Sequence, residues 1–537
     1  MNSRLSGYIS LLLLFAAWLS LLVTALISRP LMPVDETRYV SVAWEMWLRG
    51  DFLLPHLNGD LYSHKPPLFF WLIQAGWWVF GVNDLWPRLV SPLVSLANLG
   101  LLYLIARRLW PERLQLAELA VWILFGGLMW QGFYTLVQFD LLVVFCTLLG
   151  LLGMLRAARG LGTGWLIVGT AIGLGFLSKG PVILLHILPV ALLGYFWVDR
   201  NQLKGWVCWY GGILSALLLG LLIGLAWALP AGAVGGEAYR TAILWGQTAE
   251  RLVDSFAHDR PAYWYLPWLP LALMPWALSK PLWQGIRHAV RAGAFTNDRY
   301  LRMLLFWSLP VLLVLSLVSG KQVKYLLPIF PAFSLLAAYS IDVALREGSA
   351  QRVWAVIGLA LIPAVLFAGV LFGWHSERAD WTAALDARWG LLFLAVAALL
   401  SVPRINTPAR YVKLMALGTV LVVVLLHISV LYVAKPAYDL TAFGARIEAL
   451  QRDGHPVAHA GSYHGQFQYV GRLTQPISVV PSAELANWAA AHPDGYIVLY
   501  HGDWPTLPRT GADHVQDYRG DPDDLALWSA AKWIAAQ

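Results

Sequence analysis

Long apolar stretches separated by short polar loops run through the chain as far as about residue 434. An α-helix needs about 20 mostly apolar residues to cross a bilayer. The first stretch, 9–27, is longer than the apolar core of a secretory signal, about 7 to 15 residues, and predicts a retained span. Further stretches of similar length follow at 87–106, 115–136, 139–157, 164–178, 181–198, 207–231, 263–283, 302–319, 324–343, 353–374, 388–402 and 411–433. The pattern predicts a polytopic α-helical membrane protein with about thirteen spans.

Two apolar stretches between the first and second spans differ from this pattern. Residues 68–82 are apolar but short for a span, which predicts a re-entrant or interfacial helix. Residues 36–49 carry Tyr39, Val42 and Met46 at helical spacing, with charged residues on the rest of the helix surface. This second stretch predicts an amphipathic juxtamembrane helix that lies on the membrane.

Basic residues in short loops predict the orientation, because loops rich in Lys and Arg remain in the cytoplasm. With a cytoplasmic N-terminus, alternate loops contain the basic segments 107–113, 156–159, 200–204, 287–302, 346–352 and 404–413. These loops are therefore assigned to the inside. An odd number of spans then places the C-terminus outside.

The chain becomes polar from about residue 435. Its periodicity predicts helices at 440–452, 482–491 and 523–535 and strands at 456–460, 467–470 and 496–500. We therefore divide the chain into a transmembrane domain at 1–434 and a small soluble α/β domain at 435–537, outside the membrane.

Composition agrees with this class of protein. Hydrophobic residues make up 58% of the 537 residues and charged residues only 13%, which excludes a soluble globular protein. The 29 Trp and 21 Tyr suit side chains placed at headgroup depth. The formal charge of +7 is explained by the short loops, so membrane lipids are predicted partners and nucleic acid is not.

Two polar clusters lie in the first outer loop, at 34–39 and 62–67. Asp35 and Glu36 are candidate catalytic carboxylates, although carboxylates at this position also cap helices. Pro66 and Pro67 fix the backbone after Lys65, so that its ammonium is held in place as phosphate binding requires. His64 is ambiguous: a metal ligand, a hydrogen-bond donor to phosphate and an interfacial side chain are all open.

Other polar residues are predicted on the same face. Asp140 stands at the outer end of a span and is expected to face the site. The loop after residue 231 contains Glu250, Arg251, Asp254, His258, Asp259 and Arg260, a composition suited to an anion-binding lid. A cradle for an anionic headgroup is predicted from Arg38, Lys65, Lys179, Arg251, Arg260, Lys321 and Lys324.

These motifs resemble the aminoarabinose transferase branch of the GT-C glycosyltransferases, which is related to protein O-mannosyltransferases. The resemblance rests on the runs 35–39 (Asp-Glu-Thr-Arg-Tyr), 62–67 (Tyr-Ser-His-Lys-Pro-Pro), 178–181 (Ser-Lys-Gly-Pro), 258–261 (His-Asp-Arg-Pro) and 324–328 (Lys-Tyr-Leu-Leu-Pro), and on Asp140. It covers nearly the whole transmembrane part. It implies inverting transfer of a sugar from a polyprenyl phosphate, typically undecaprenyl phosphate, in the bacterial inner membrane with a periplasmic active site and C-terminal domain.

By matching motifs, the resemblance gives Asp35 the role of catalytic carboxylate and Asp140 that of a second acidic residue. Lys65 and Arg260 would hold the donor phosphate, and the lipid-phosphate and sugar groove would include Arg38, Tyr39, Tyr62, Lys179, Lys324 and Tyr325. Family members often have Glu where this chain has His64. A divalent metal (Zn, Mg or Mn) on His64 and His258 is therefore a further expectation, without a strict requirement for a cofactor.

The acceptor is left open by the sequence. Lipid A or another cell-envelope glycolipid is one class, and a protein O-glycosyltransferase of the same superfamily is an alternative, because acceptor specificity resides in divergent outer loops. A transporter of lipid-linked sugars without chemistry is a second alternative. Transporters place polar groups near the middle of the bilayer, whereas the polar clusters here lie at one interface, which favours an enzyme.

Overall fold

The computed structural model of the protein describes residues 3–245, 260–347, 351–376, 379–520 and 524–537. Up to residue 434 the described part is almost entirely helical. Its helices are α1 (Ser3–Ser28), α2 (Asp35–Arg49), α3 (Leu68–Phe80), α4 (Leu85–Leu109), α5 (Gln115–Phe125), α6 (Leu128–Phe133), α7 (Asp140–Ala157), α8 (Thr163–Lys179), α9 (Val182–Leu192), α10 (Trp206–Thr241), α11 (Tyr265–Ala272), α12 (Lys280–Arg291), α13 (Ala294–Asn297), α14 (Arg299–Leu317), α15 (Phe330–Glu347), α16 (Trp354–Leu371), α17 (Trp389–Ser401), α18 (Pro408–Leu426) and α19 (Tyr432–Ala434).

Eight helical segments within the described residues are long and apolar enough to cross a membrane, and α3, α5, α8, α9 and α17 are shorter apolar helices. The protein is thus a multi-pass membrane protein, while the number of thirteen spans stays a prediction. The apolar stretch 263–283 is not one helix. It is divided into α11, a 3₁₀ turn at Trp276–Leu278 and the start of α12, with prolines at 270 and 275 that cannot donate helical hydrogen bonds.

The segment between α1 and α4 carries the juxtamembrane elements. Helices α2 and α3 form where the sequence predicts them, and between them the strands β1 (His56–Leu57) and β2 (Asp60–Leu61) make a two-stranded antiparallel hairpin. Its turn residues Asn58 and Gly59 both have positive φ, as a tight hairpin turn requires. Helices α2 and α3 share one apolar cluster with Phe139 and Tyr469.

Helix α2 is covered on more than its apolar side. Trp44 donates from Nε1 to the Leu473 carbonyl at 3.0 Å, and Ser41 Oγ accepts the Tyr469 N–H at 3.1 Å. The C-terminal α/β domain therefore packs on α2 through one apolar and one polar residue of the helix. The helix is enclosed between two parts of the protein rather than lying open on the membrane surface.

The described C-terminal residues form a mixed five-stranded sheet with flanking helices. The elements are α20 (Thr441–Arg452), β3 (Val457–Ala460), β4 (Ser478–Val480), α21 (Leu485–Ala491), β5 (Tyr496–Tyr500), β6 (His514–Gln516), β7 (Leu525–Ser529) and α22 (Ala530–Ala536). The strand order is β4-β3-β5-β7-β6. Strand β3 is parallel to β4 and β5, whereas β7 is antiparallel to β5 and β6. The predicted small α/β fold is confirmed.

Two predictions within this domain are wrong. Residues 467–470 form no strand, since this segment turns back to pack on α2; the strand lies at β4 instead. The single helix predicted at 523–535 is divided into the strand β7 and the helix α22. Residues 525–528 are all buried, and a short continuous apolar run fits a buried strand better than one face of a helix.

Candidate functional site

Two adjacent carboxylates begin α2, where a helix N-terminus stabilises negative charge. The Asp35 side chain is 37% exposed, whereas the Glu36 side chain is 2% exposed. The same helical turn therefore directs one carboxylate towards solvent and the other into the protein.

Three cations surround Asp35. Arg38, one turn later in α2, pairs with Oδ1, and Nζ of Lys324 lies 3.2 Å from Oδ2. The charge of Lys65 also acts on this carboxylate. Burial alone would raise the pKa of Asp35, but the three cations together lower it below its ordinary value. Asp35 is therefore ionised at neutral pH.

Glu36 has both carboxylate oxygens occupied. Oε2 pairs with Arg29 Nη1 at 2.6 Å and accepts the Met32 N–H at 2.7 Å. Oε1 accepts the Val137 N–H at 2.5 Å, and Arg29 also donates to the Thr135 carbonyl. Glu36 thus joins the end of α1 and the segment before α7 to α2. This geometry favours a structural role for a residue that the sequence predicts as catalytic.

A second ion pair lies at one end of the neighbouring helices α7 and α8. Lys179, at the end of α8, places Nζ 2.6 Å from Oδ1 of Asp140, at the start of α7. The same ammonium lies 4.6 Å from the centre of the Tyr325 ring. Burial raises the pKa of Tyr39, and the charges of Asp35 and Asp140, which both act on its hydroxyl, raise this pKa further, so Tyr39 stays protonated. The two ion pairs therefore belong to one cluster.

The loop before α3 brings the second polar motif to this cluster. Tyr62 is buried, with its ring 6.2 Å from the Phe70 ring and 5.2 Å from the imidazole of His64. His64 is exposed and Lys65 is partly exposed. Because Lys65 acts on the charge of Asp35, the two motifs that lie about thirty residues apart in sequence meet in one site.

The remaining predicted cations differ in position. Arg260 is exposed; its N–H donates to the Ser319 carbonyl at 3.1 Å, and its own carbonyl accepts a hydrogen bond from Lys321 Nζ at 2.8 Å. Lys321 is buried and also donates to the Val318 carbonyl, so its ammonium holds backbone together rather than facing a headgroup. The other members of the predicted lid lie outside the described residues: Glu250, Arg251, Asp254, His258 and Asp259.

A metal site is not assembled by the part of the chain that the structure describes. No three His, Cys, Asp or Glu side chains group there in a way that could hold a metal ion. His64 is described, but its predicted partner His258 is not. The described residues alone do not fit a divalent cation, and the Zn, Mg or Mn site stays a prediction.

Sequence reasoning missed two residues at this site. One is Arg29, which neutralises Glu36 inside the protein. The other is His464 of the soluble domain, whose imidazole experiences the charges of Arg38 and Asp35. No spacing in the sequence connects His464 with residues more than four hundred positions earlier, so only the fold reveals it.

The cluster is suited to an anion. Within the described residues, the buried Nε of Arg38 has no hydrogen-bond partner, although buried donors are nearly always paired. Lys65 and Lys324 add positive charge beside it. Since the site lies at one end of the apolar helices α7 and α8, an anionic group attached to a membrane lipid would reach it.

Comparisons with known proteins identify the family of the chain. Residues 64–227 match the family described as "Dolichyl-phosphate-mannose-protein mannosyltransferase". The chain is 31% identical over 405 residues to the "Undecaprenyl phosphate-alpha-4-amino-4-deoxy-L-arabinose arabinosyl transferase" of Pseudomonas aeruginosa (strain LESB58), covering 68% of this chain and 71% of that one. It is 30% identical over 364 residues to the protein of that name from Edwardsiella ictaluri (strain 93-146), covering 66% and 63%.

The fold also matches solved structures. The crystal structure of ArnT from Cupriavidus metallidurans bound to undecaprenyl phosphate has a TM-score of 0.75 at 22% identity, covering 97% of this chain and 98% of that one. Its apo form has a TM-score of 0.77 at 20% identity and 99% coverage of both chains. The sequence relatives and the shared fold together define a membrane-embedded glycosyltransferase of the GT-C type. The chain belongs to the family of undecaprenyl phosphate-aminoarabinose arabinosyl transferases, which confirms the resemblance seen in the motifs.

Proposed function

We propose that this protein transfers a sugar from a polyprenyl phosphate to an acceptor at the outer face of the bacterial inner membrane. Following the names of its relatives, the donor is undecaprenyl phosphate carrying 4-amino-4-deoxy-L-arabinose. The acceptor is lipid A or another cell-envelope glycolipid. The active site and the soluble domain face the periplasm.

The cations explain how the donor reacts. An acceptor oxygen forms a bond to the anomeric carbon while the bond from that carbon to the phosphate oxygen breaks, with inversion at the carbon. Undecaprenyl phosphate leaves with one additional negative charge, which fixed positive groups stabilise in the transition state. Arg38, Lys65 and Lys324 supply that charge, and the unpartnered Nε–H of Arg38 supplies a directed donor.

Asp35 acts beside the reacting carbon. Its lowered pKa makes it a weak proton acceptor but a stable negative charge. That charge stabilises positive charge developing at the anomeric carbon. If the acceptor oxygen belongs to a phosphate, no proton has to be removed. If it belongs to a hydroxyl, the partly exposed carboxylate of Asp35 would accept the proton.

The second ion pair forms the adjoining wall of the groove. Asp140 is 5% exposed and is neutralised by Lys179. The ion pair holds the Asp140 carboxylate in a fixed position in the site. Tyr325, Tyr39 and Tyr62 line the groove with aromatic rings that suit contact with a sugar. Arg260 is exposed, and by its matching motif it is a further candidate for holding the donor phosphate.

The observation that carries the proposal is the half-exposed, ionised Asp35 among three cations at one end of apolar helices. Its test is sugar transfer by the purified protein in detergent, from synthetic undecaprenyl phosphate-aminoarabinose to lipid A, followed by mass spectrometry. Asp35→Asn should reduce kcat by at least about a hundredfold. Lys65→Ala should mainly weaken binding of the donor.

Asp386→Asn is the matched control, because Asp386 pairs with Arg388 two residues away on an exposed surface. Its activity should equal that of the wild type. Full activity of Asp35→Asn would remove this carboxylate from the mechanism. A wild-type protein that binds the donor but transfers nothing to lipid A or to an extract of envelope glycolipids would refute the proposed function.

A further inference from the structure

A loop of the soluble domain, residues 461–469, reaches across to the juxtamembrane elements. It leaves the end of β3, where the Gly461 N–H donates to the Val480 carbonyl at 2.9 Å. It ends on α2, where the Tyr469 N–H donates to Ser41 Oγ at 3.1 Å. Ser41 lies about one turn beyond Arg38 on that helix. The loop is therefore attached to the same helix that carries Asp35 and Arg38.

The loop is fixed on both sides of its tip. Gln468 donates from Nε2 to Asn58 Oδ1 at 2.5 Å, which ties it to the turn between β1 and β2. Gly465 packs directly on the Leu57 side chain, so closely that a β-carbon at this position would overlap it. The N–H of His464 donates to Gln466 Oε1 at 3.1 Å. The backbone of His464 is thus held in one place.

The imidazole of His464 is nevertheless exposed. Its loop is attached to the helix that carries Asp35 and Arg38, and the charges of both residues act on the imidazole, so His464 lies near the cluster. The donor phosphate is met by cations carried by the juxtamembrane elements and by the segment before α15. His464 approaches the same cluster from the C-terminal domain.

We propose that His464 binds the acceptor: its imidazole donates a hydrogen bond to an oxygen of the acceptor headgroup as that group enters beside Asp35. The oxygen is a phosphate or a hydroxyl oxygen, and an imidazole N–H suits both. This inference rests on the proposed function and adds that the soluble domain completes the active site. The domain then contributes to the choice of acceptor and not only to the covering of α2.

The test is steady-state kinetics of the full-length protein in detergent with His464→Ala, His464→Gln and Ser462→Ala. One lost hydrogen bond should raise KM for the acceptor about five- to tenfold and leave KM for the donor within about twofold. His464→Gln keeps an N–H donor and should restore at least half of the lost acceptor affinity. Ser462 is exposed in the same loop, so Ser462→Ala should behave as the wild type.

The other possible results distinguish the role of His464 from the proposed function. An unchanged acceptor KM in His464→Ala would overturn the role of His464 in acceptor binding, and so would an equal change in the KM of donor and acceptor. Transfer by the wild type would in both cases still support the proposed function. A similar loss in Ser462→Ala would show that the loop conformation, not the imidazole, is responsible. A wild-type protein inert with every donor and acceptor would overturn the proposed function and this role with it.

Discussion

Buried charges at the scale of single residues need partners, and Arg29 with Glu36 is such a pair, with side chains 5% and 2% exposed. Glu36→Ala would leave Arg29 buried without its counter-charge. Removal of one partner of a buried pair costs about 3–5 kcal/mol of folding free energy. We expect a clear fall in the midpoint of thermal unfolding of the detergent-solubilised protein.

The neighbouring residue is the control for that prediction. Asp35 is half-exposed, so Asp35→Asn should leave thermal stability almost unchanged while it reduces activity. Equal stability of the Glu36→Ala protein and the wild type would contradict the structural role of Glu36 and return it to the catalytic candidates.

The ion pair between Lys324 and Asp35 gives a pH prediction. Lys324 is the strongest of the cations that lower the pKa of Asp35 against the opposing effect of burial. A lowered pKa keeps Asp35 ionised to lower pH, so wild-type activity should fall only below the ordinary value of 3.8. In Lys324→Ala the pKa of Asp35 rises, and the acid limb of kcat/KM against pH should move to higher pH.

Lys324→Arg retains the charge and should keep the wild-type acid limb, although the level of activity falls with the altered geometry. An acid limb that stays in place in Lys324→Ala would show that another group governs the acid limb.

At the scale of elements, the loop 461–469 depends on one glycine. Gly465 has φ +74°, and its position against Leu57 leaves no room for a β-carbon. Gly465→Ala should therefore displace the loop and move His464 away from the cluster. We expect this to raise KM for the acceptor. Leu57→Ala in the same chain should recover part of the affinity, because it opens the space that the new methyl group needs.

The matched control separates backbone strain from steric overlap. Gly454 also has a positive φ, of +88°, but nothing lies within 4 Å of a β-carbon there. Gly454→Ala carries the same type of conformational cost, about 1 kcal/mol, without touching the loop. If Gly454→Ala changed acceptor KM as much as Gly465→Ala, general destabilisation would explain both.

An element can be predicted from sequence when the residues that determine it lie close to each other in the chain. The helix α20 and the strand β5 were predicted almost to their ends, because their periodicity and turn residues are local signals. The sequence pattern predicts a helix at strand β7, because the residues of this strand are buried between two strands and one of these, β5, is not adjacent to it in sequence. The enclosure of α2 likewise depends on contacts with Tyr469 and Leu473.

At the scale of the whole molecule, the site combines residues that the sequence separates widely. Motifs predicted that Asp35, Lys65 and Lys324 share one site, and the structure brings them together, although their catalytic roles stay predictions. Which partner each takes could not be read from the chain: Asp35 pairs with a lysine 289 positions away. His464 belongs to another domain and has no motif, so its place in the site follows only from the packing of the two parts.

Tyr469 connects those two parts of the protein through several contacts. It is 1% exposed, its ring stacks on Trp77 with a centroid distance of 5.5 Å, and Arg472 lies 3.8 Å from its centre. Tyr469→Ala removes a buried aromatic ring, at a cost of about 3–5 kcal/mol. Because this cost falls on the contact between the domains, we expect the backbone amides of α2 to exchange hydrogen for deuterium faster.

Mass spectrometry of peptides from Asp35–Arg49 measures that exchange in the intact protein, together with peptides from β5 as an internal reference. Val479→Ala is the control, since Val479 is 48% exposed on the outermost strand of the sheet. Faster exchange in α2 with unchanged β5 would show that the soluble domain holds this helix, and with it Asp35, in position. Uniformly faster exchange would instead mean that Tyr469 stabilises the whole fold, and unchanged exchange would mean that α2 keeps its place without the domain.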